Sequence, residues 1–547
     1  MSVGVHLDPE FRRRVIGELV KHEERSVPPS LGFDLVTVLA HALRARRAEL
    51  LLGAVLAALW IGFACVAILP AFDPSDGGTF EWLASDPKDP GKATPSFEVV
   101  WPYVTNFAGF YAVVTLVTWF AKPASLRRHV LHAAPSTDYD RPPAQPLRVF
   151  AAGLQVVLQL AYWILALWYA EHDPAGVLFP LALAAAVGGH RLLTARLMRK
   201  ELSRDAFHAR PTGTLPDTPR HQRLRRSLDT EQHSRLIIYD PATPFLGAGF
   251  PHEAWSFVLE LKHRTTGPVV PSARDLTARD VLEMIVPRLA GLRQAAALTS
   301  LDRLREMEID DVVFLPHGPI RSEVPRSPED IAQHLAEAVD EGGEPRRRFL
   351  RVRIGSWGEQ VVLTVHLRVH TQGQLLVVEV VPHVLGPVWR EYELLADAVV
   401  QRGTHWRRHR PATSAFTASP AAMRHLLRPG DWALRPSKEA PGVVSARPLV
   451  SLRELATDTS ISLFQELDVS RYLKTVKERI IDGVREALHS QGYETGRFEQ
   501  NVVQVMSGGI HIGSMSGGAV ATSGGTAGFG GPATVHLTPE GVPGPAS

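Results

Sequence analysis

Cysteine is almost missing from this chain: Cys65 is the single one in 547 residues. One thiol excludes an intramolecular disulfide and a cysteine-based zinc site. Lysine is scarce as well, at nine of the 59 basic residues, so arginine carries nearly all the positive charge. A dominant charge of one sign is lacking, since the formal balance is +2. That balance gives no global attraction to nucleic acid, and no nucleic-acid partner is expected. A secretory signal would place an apolar stretch within roughly the first 30 residues. Here the first long apolar run starts near Leu50. There is no P-loop, no Gly-x-Ser-x-Gly elbow, no His-Glu-x-x-His and no kinase set. The sequence therefore nominates no catalytic, cofactor-binding or metal-ligating residue, implies no cofactor, and leans away from an enzyme.

What the sequence does contain is an apolar front and a polar back, although mean hydropathy is near zero, at -0.03. Asp8-Pro9-Glu10 reads as a helix cap followed by a first-turn proline, with Phe11, Val15, Leu19 and Val20 on one face. A second helix is expected over residues 33–50. Four runs then approach the roughly 20 apolar residues that a bilayer crossing needs: residues 50–72, 99–121, 149–170 and 176–195.

The flanks of these runs are uneven. Arg44, Arg46 and Arg47 precede the first. Lys122, Arg127, Arg128, Arg141 and Arg148 separate the second from the third. Arg191, Arg196, Arg199, Lys200 and Arg204 attend the fourth. By the bias of basic loops toward the cytoplasm, the expectation is a multi-pass plasma-membrane protein with both termini cytoplasmic. Its lipid-facing partner is the bilayer. Within the runs Asn106, Gln155 and Gln159 are polar; the two glutamines share a helix face and suit bonding to a neighbouring helix.

The expected fold class is thus membrane α-helical with four transmembrane helices, plus a cytosolic α+β domain with an antiparallel meander and a Gly-rich tail. The boundaries are cytosolic N-terminal helices over 1–48, a transmembrane region over 49–198 and a basic linker over 199–234. The α+β domain covers 235–495 and the low-complexity tail 496–547. Arg220, Arg223, Arg225 and Arg226 in the linker suit contact with anionic lipid.

In the domain, residues 349–354, 361–369 and 374–381 read as three strands of a meander. Val361, Leu363, Val365, Leu367 and Val369 alternate with Val362, Thr364, His366, Arg368 and His370, which predicts one buried and one wetter face. His366, His370 and His383 are then exposed strand histidines. Pro244-Phe245-Leu246-Gly247-Ala248-Gly249 holds a Gly-x-Gly pair that could cradle phosphate. It lacks a third glycine, so it reads as a loop joining strands. His405-Trp406-Arg407-Arg408-His409-Arg410 mixes base and aromatic and reads as a solvated or membrane-facing segment. A helix over 469–490 has an apolar stripe from Val469 to Leu488, for core packing or self-association.

Ile237-Ile238-Tyr239, the Pro244-to-Gly249 loop and Trp255-Ser256-Phe257, following a basic-flanked apolar region, resemble a family of multi-pass membrane proteins of actinobacteria without an established activity. The resemblance implies membrane location and carries over no site residue. Residues 500–539 contain no charged residue of any of the four types Asp, Glu, Lys and Arg, and end on Pro539. Their Val502-Val503-Gln504-Val505 and Ile510-His511-Ile512-Gly513 pieces resemble short amyloid signalling motifs of bacterial immune proteins. Together these features predict an integral plasma-membrane scaffold or sensor, with a domain that binds a protein partner or a second copy and a flexible or self-assembling tail. A transporter or channel component and a membrane-anchored enzyme are the alternatives.

Overall fold

The computed structural model describes residues 1–68, 113–114, 146–168, 175–203, 206–207, 215–264, 275–299, 302–316, 321–339, 346–356, 360–390, 392, 447–458 and 460–506. Its first layer is helical: α1 (Ser2–Leu7), α2 (Pro9–Ile16) and the first turns of α3 (Leu35–Ile68). Asp8 caps α2, accepting from the amides of Glu10 and Phe11. The stripe of Phe11, Val15, Leu19 and Val20 packs on Leu35, Leu39 and Leu43. Two further helices, α4 (Pro146–Trp168) and α5 (Ala175–Glu201), pack against the apolar half of α3. Phe63 stacks on Phe179 with ring centroids 4.0 Å apart. The linker is not extended chain: α6 (Pro219–Gln232) turns Leu224 and Leu228 onto α3.

The sheet domain contains β1 (Leu236–Tyr239), β2 (Phe250–Pro251), β3 (Trp255–Glu260), α7 (Ala278–Thr299), β4 (Glu308–Pro316), α8 (Pro328–Glu337), β5 (Arg347–Ser356), β6 (Val361–Gln372), β7 (Leu375–Leu385), α9 (Leu452–Leu455), α10 (Leu463–Ser490) and α11 (Gly496–Met506). The seven strands run in the order β1-β4-β5-β6-β7-β2, with β3 also beside β7. β1 is parallel to β4 and the remaining pairs are antiparallel. A two-residue loop joins β6 to β7, with φ of 55° at Gly373 and 64° at Gln374, the sign that tight hairpins need at both central positions. Val352, Val365, Leu367, Val378 and Val380 form one apolar face under Ile285 of α7 and Val476, Ile480 and Val484 of α10. The two helices cross closely because Gly483 has no side chain; a Cβ there would lie 2.5 Å from Ile285 Cγ1.

The expected fold class is corrected on three counts. Among the described residues one helix, Val177–Glu201, is long and apolar enough to cross a membrane. The first expected run is the far half of α3, whose near half is buried in the helical layer. The third offers only the shorter apolar stretch Val156–Trp168. The second lies outside the described residues except 113–114. A four-span membrane fold is therefore replaced by an α/β domain on a mixed sheet, with an apolar helical cluster beside it.

The second correction concerns β6, which is buried on both faces: Val365 is 0% exposed and His366 3%. The third concerns the start of the expected low-complexity tail: residues 496–506 form α11, where Phe498 packs on Phe257. The stretch from Ile510 onward lies outside the described residues.

Candidate functional site

The second face of the sheet is where the polar side chains converge. Phe245, at the tip of the loop between β1 and β2, sits over two of the three histidines. Its ring centroid lies 4.6 Å from that of His366 and 4.8 Å from that of His383. The two imidazoles are 5.5 Å apart, edge to face. Phe314 and Phe349 wall the cluster. His366, His370 and His383 are thus buried, not exposed, and over His366 and His383 the cause is the 244–250 loop, which covers a face that alternation left polar. Burial pushes the His383 pKa down to about 4, although a hydrogen bond from its ring to the Val381 carbonyl works the other way. Burial holds the His366 pKa well below its ordinary value, aided by His383 and Arg351. Both rings are neutral at neutral pH.

The Gly-x-Gly loop does bind an anion, and the anion belongs to the same chain. The amides of Gly247 and Gly249 donate to Glu454 Oε1 at 2.8 and 3.0 Å. Both glycines have φ near +97°, at +97° and +96°, a region L side chains rarely adopt. A Cβ on Gly249 would come within 2.3 Å of the Val384 carbonyl oxygen. Successive amides turned to one side form an anion nest, here filled by Glu454. Burial raises the Glu454 pKa, and the two amides oppose that shift.

Glu454 is held in place by its own short helix. Ser451 caps α9, and Leu452 at its start and Ala456 at its C-cap pack against the N-terminal helical layer. The neighbouring Arg453 is 3% exposed. It donates to the carbonyls of Gln360 and Gly386 at 2.9 and 2.8 Å, and burial pushes its pKa down to about 10.

Ion pairs stitch the rest. On β4 and β5 Asp310 takes a two-pronged contact from Arg351 at 3.0 and 2.6 Å. Asp311 pairs with Arg348, and Glu308 with Arg353. Glu231 on α6 binds Arg321 at 2.7 Å and the Val27 amide at 2.8 Å, with Arg326 at 3.5 Å. Gln232 receives the Leu35 amide at 3.0 Å. These contacts clamp the helical layer to the sheet domain.

Among the described residues no group of three or more His, Cys, Asp or Glu could hold a metal ion. Of the polar residues in the apolar runs, Gln159 has a buried Nε2 without a hydrogen-bond partner among the described residues. The Gln155 side chain, Asn106 and the 405–410 run lie outside the described residues. The residues sequence reasoning missed are Glu454, Arg453, Glu231 and Gln232. Each works through a partner far along the chain, for which no local signal exists.

An AbeC-like domain is found at residues 254–518. The match begins at β3 and covers just under half of the chain, so α1 to α6, β1 and β2 precede it. No curated protein and no solved structure matches the chain.

Proposed function

We propose that this chain is a membrane-attached scaffold or sensor: an apolar helical cluster seats it in lipid, and the clamped α/β domain presents a surface to a protein partner. The observation that carries the reading is the outward side of α3, α4 and α5. Their inward residues Leu56, Phe63, Tyr162, Phe179 and Leu183 pack together. Their outward residues are apolar as well: Ile61, Val157, Ile164, Leu181, Leu193 and Trp168 are all exposed, Trp168 at 80%. In water such a contiguous apolar surface is costly, and it marks an interaction or membrane surface. The resemblance of residues 237–257 to membrane proteins of actinobacteria supports the same location.

The partner half of the proposal rests on α10. Its capping box at Ser462 and Gln465 starts the helix six residues before Val469. The added turns carry exposed Leu463, Phe464 and Leu467. With Phe464 at 70% exposure, this is a projecting apolar knob. The tail beyond Met506 supplies the self-assembling element.

Fractionation of cells expressing the full chain tests the first half. The proposal expects the protein in the membrane pellet after alkaline carbonate washing, and released only by detergent. Quantitative release by carbonate defeats it.

A further inference from the structure

Around the lip of the apolar cluster the cations of three helices gather. α3 and α5 run antiparallel, since Arg44 pairs with Glu201 at one end and Phe63 stacks on Phe179 at the other. This sets the last turns of α5, with Arg196, Arg199 and Lys200, beside the turn of α3 that carries the exposed Arg47. α6 completes the group. Leu224 and Leu228 fix one side of it on α3, so Arg223, Arg225 and Arg226 face outward and are exposed. Arg47 lies near enough to the first turn of α6 to act on His221. The acids close by are engaged: Glu201 by Arg44, Glu49 by Arg12, Glu231 by Arg321 and Asp229 by Arg225. Leu51, the first exposed apolar residue, follows Arg47 by four positions, about 6 Å along the helix.

We infer that this arginine belt is a seat for the phosphate headgroups of an anionic membrane surface. The inference rests on the lipid attachment proposed above and specifies which lipid. Arginine suits the task because its planar fork donates two parallel hydrogen bonds to phosphate oxygens. The geometry fits a headgroup layer, since the cations spread over about 10 Å of helix, from the α6 arginines that lie back along α3 to Arg47 and Arg196, and exposed apolar side chains begin at Leu51 beyond them. A bilayer offers phosphate and hydrocarbon in that same order. Sequence alone put cations near the apolar runs; the docking of α6 on α3 aligns those of the linker with the other two sets.

Co-flotation of the full chain with two kinds of vesicle tests this. Phosphatidylcholine vesicles report apolar attachment alone; vesicles with about one third phosphatidylglycerol add anionic charge. The wild type is expected to bind both, and the anionic ones more tightly in a way that fades as salt rises. The triple variant R223Q/R225Q/R226Q is expected to keep its binding to phosphatidylcholine. At roughly 1 kcal/mol for each surface cation, with Arg225 offset by its partner Asp229, it should lose on the order of thirtyfold of anionic enhancement. The triple lysine variant should restore most of that enhancement, because the charge returns while the leucine stripe of α6 is untouched. Free glycerol phosphate should not compete.

An enhancement undiminished in the glutamine variant overturns the inference while leaving attachment intact. So does a wild type that binds both vesicles equally. Competition by free glycerol phosphate would reassign the belt to a soluble phosphate ligand. Absence of binding to either vesicle removes both the attachment and the inference built on it.

Discussion

Glu454 and Gly249 stand 205 positions apart and meet through a 3.0 Å hydrogen bond from the Gly249 amide to the Glu454 carboxylate. The same oxygen accepts from Gly247, so one side chain closes the loop that carries Phe245 over the histidines. Glu454→Ala leaves two part-buried donors unmet. Each such orphan costs about 1–3 kcal/mol, so the variant should melt well below wild type in a thermal scan. Glu454→Gln keeps an acceptor oxygen and should lose less than about half as much. Equal melting of all three proteins would mean that the carboxylate does not hold the loop.

Gly249→Ala tests the same closure from the backbone side. The new Cβ meets the Val384 carbonyl oxygen at 2.3 Å, and φ is +96°. Gly373 also has positive φ, at +55°, but open space around it. Gly373→Ala should therefore show the backbone penalty alone, on the order of 1 kcal/mol. Gly249→Ala should cost at least about 2 kcal/mol, since overpacking adds to strain. Chemical denaturation that ranks the two variants the other way contradicts the described loop.

The pH dependence of stability follows from the buried histidines. The folded-state pKa of His383 is depressed from 6.5 to about 4. Below 6.5 the unfolded chain takes up a proton that the folded chain refuses. Stability is therefore lost as pH falls through that window, by about 3 kcal/mol at pH 4 for this one group. His383→Gln should flatten the wild-type decline between pH 6.5 and 4. A variant with the same slope as wild type would show that His383 titrates freely in the folded protein.

These elements also mark how far the sequence could be read. Strands β5 to β7 were legible because Val, Leu and Ile recur there with period two and turn residues separate them. The second covered face was not. Thr364, His366, Arg368 and His370 look like a wet face, yet all four are buried; Phe245, from a loop more than 100 positions upstream, lies over His366, and Leu31 of the N-terminal layer packs on neighbouring Val362. The strand Glu308–Pro316 shows period-free apolar character only over its end, Val312 to Leu315. Its acidic start is stabilised by arginines of β5, a cross-strand pairing invisible before the register is known. The apolar runs were plain in composition. Composition alone could not tell that, among the described residues, only Val177–Glu201 forms a helix long and apolar enough to cross a membrane, and this is where the four-span expectation failed.

Removal of Glu231 should loosen the clamp between the helical layer and the sheet domain. Glu231 is 5% exposed and faces both Arg321 and Arg326. Glu231→Ala strands two guanidinium groups, and breaking a buried pair costs about 3–5 kcal/mol. Hydrogen exchange should accelerate in α1, α2 and the first turns of α3 while β6 stays protected. Unchanged exchange in those helices would mean that the clamp lies elsewhere.

The central claim, that lipid covers the outward side of the apolar helices, can be tested at the single native thiol. Cys65 is exposed near the end of α3, beyond Phe63. A nitroxide attached there, with the full chain in phospholipid vesicles, reports its surroundings through collisions with dissolved oxygen and with a water-soluble nickel chelate. The account predicts a label readily reached by oxygen, which concentrates in hydrocarbon, and shielded from nickel. A label reached by nickel as freely as one on an exposed loop would contradict it.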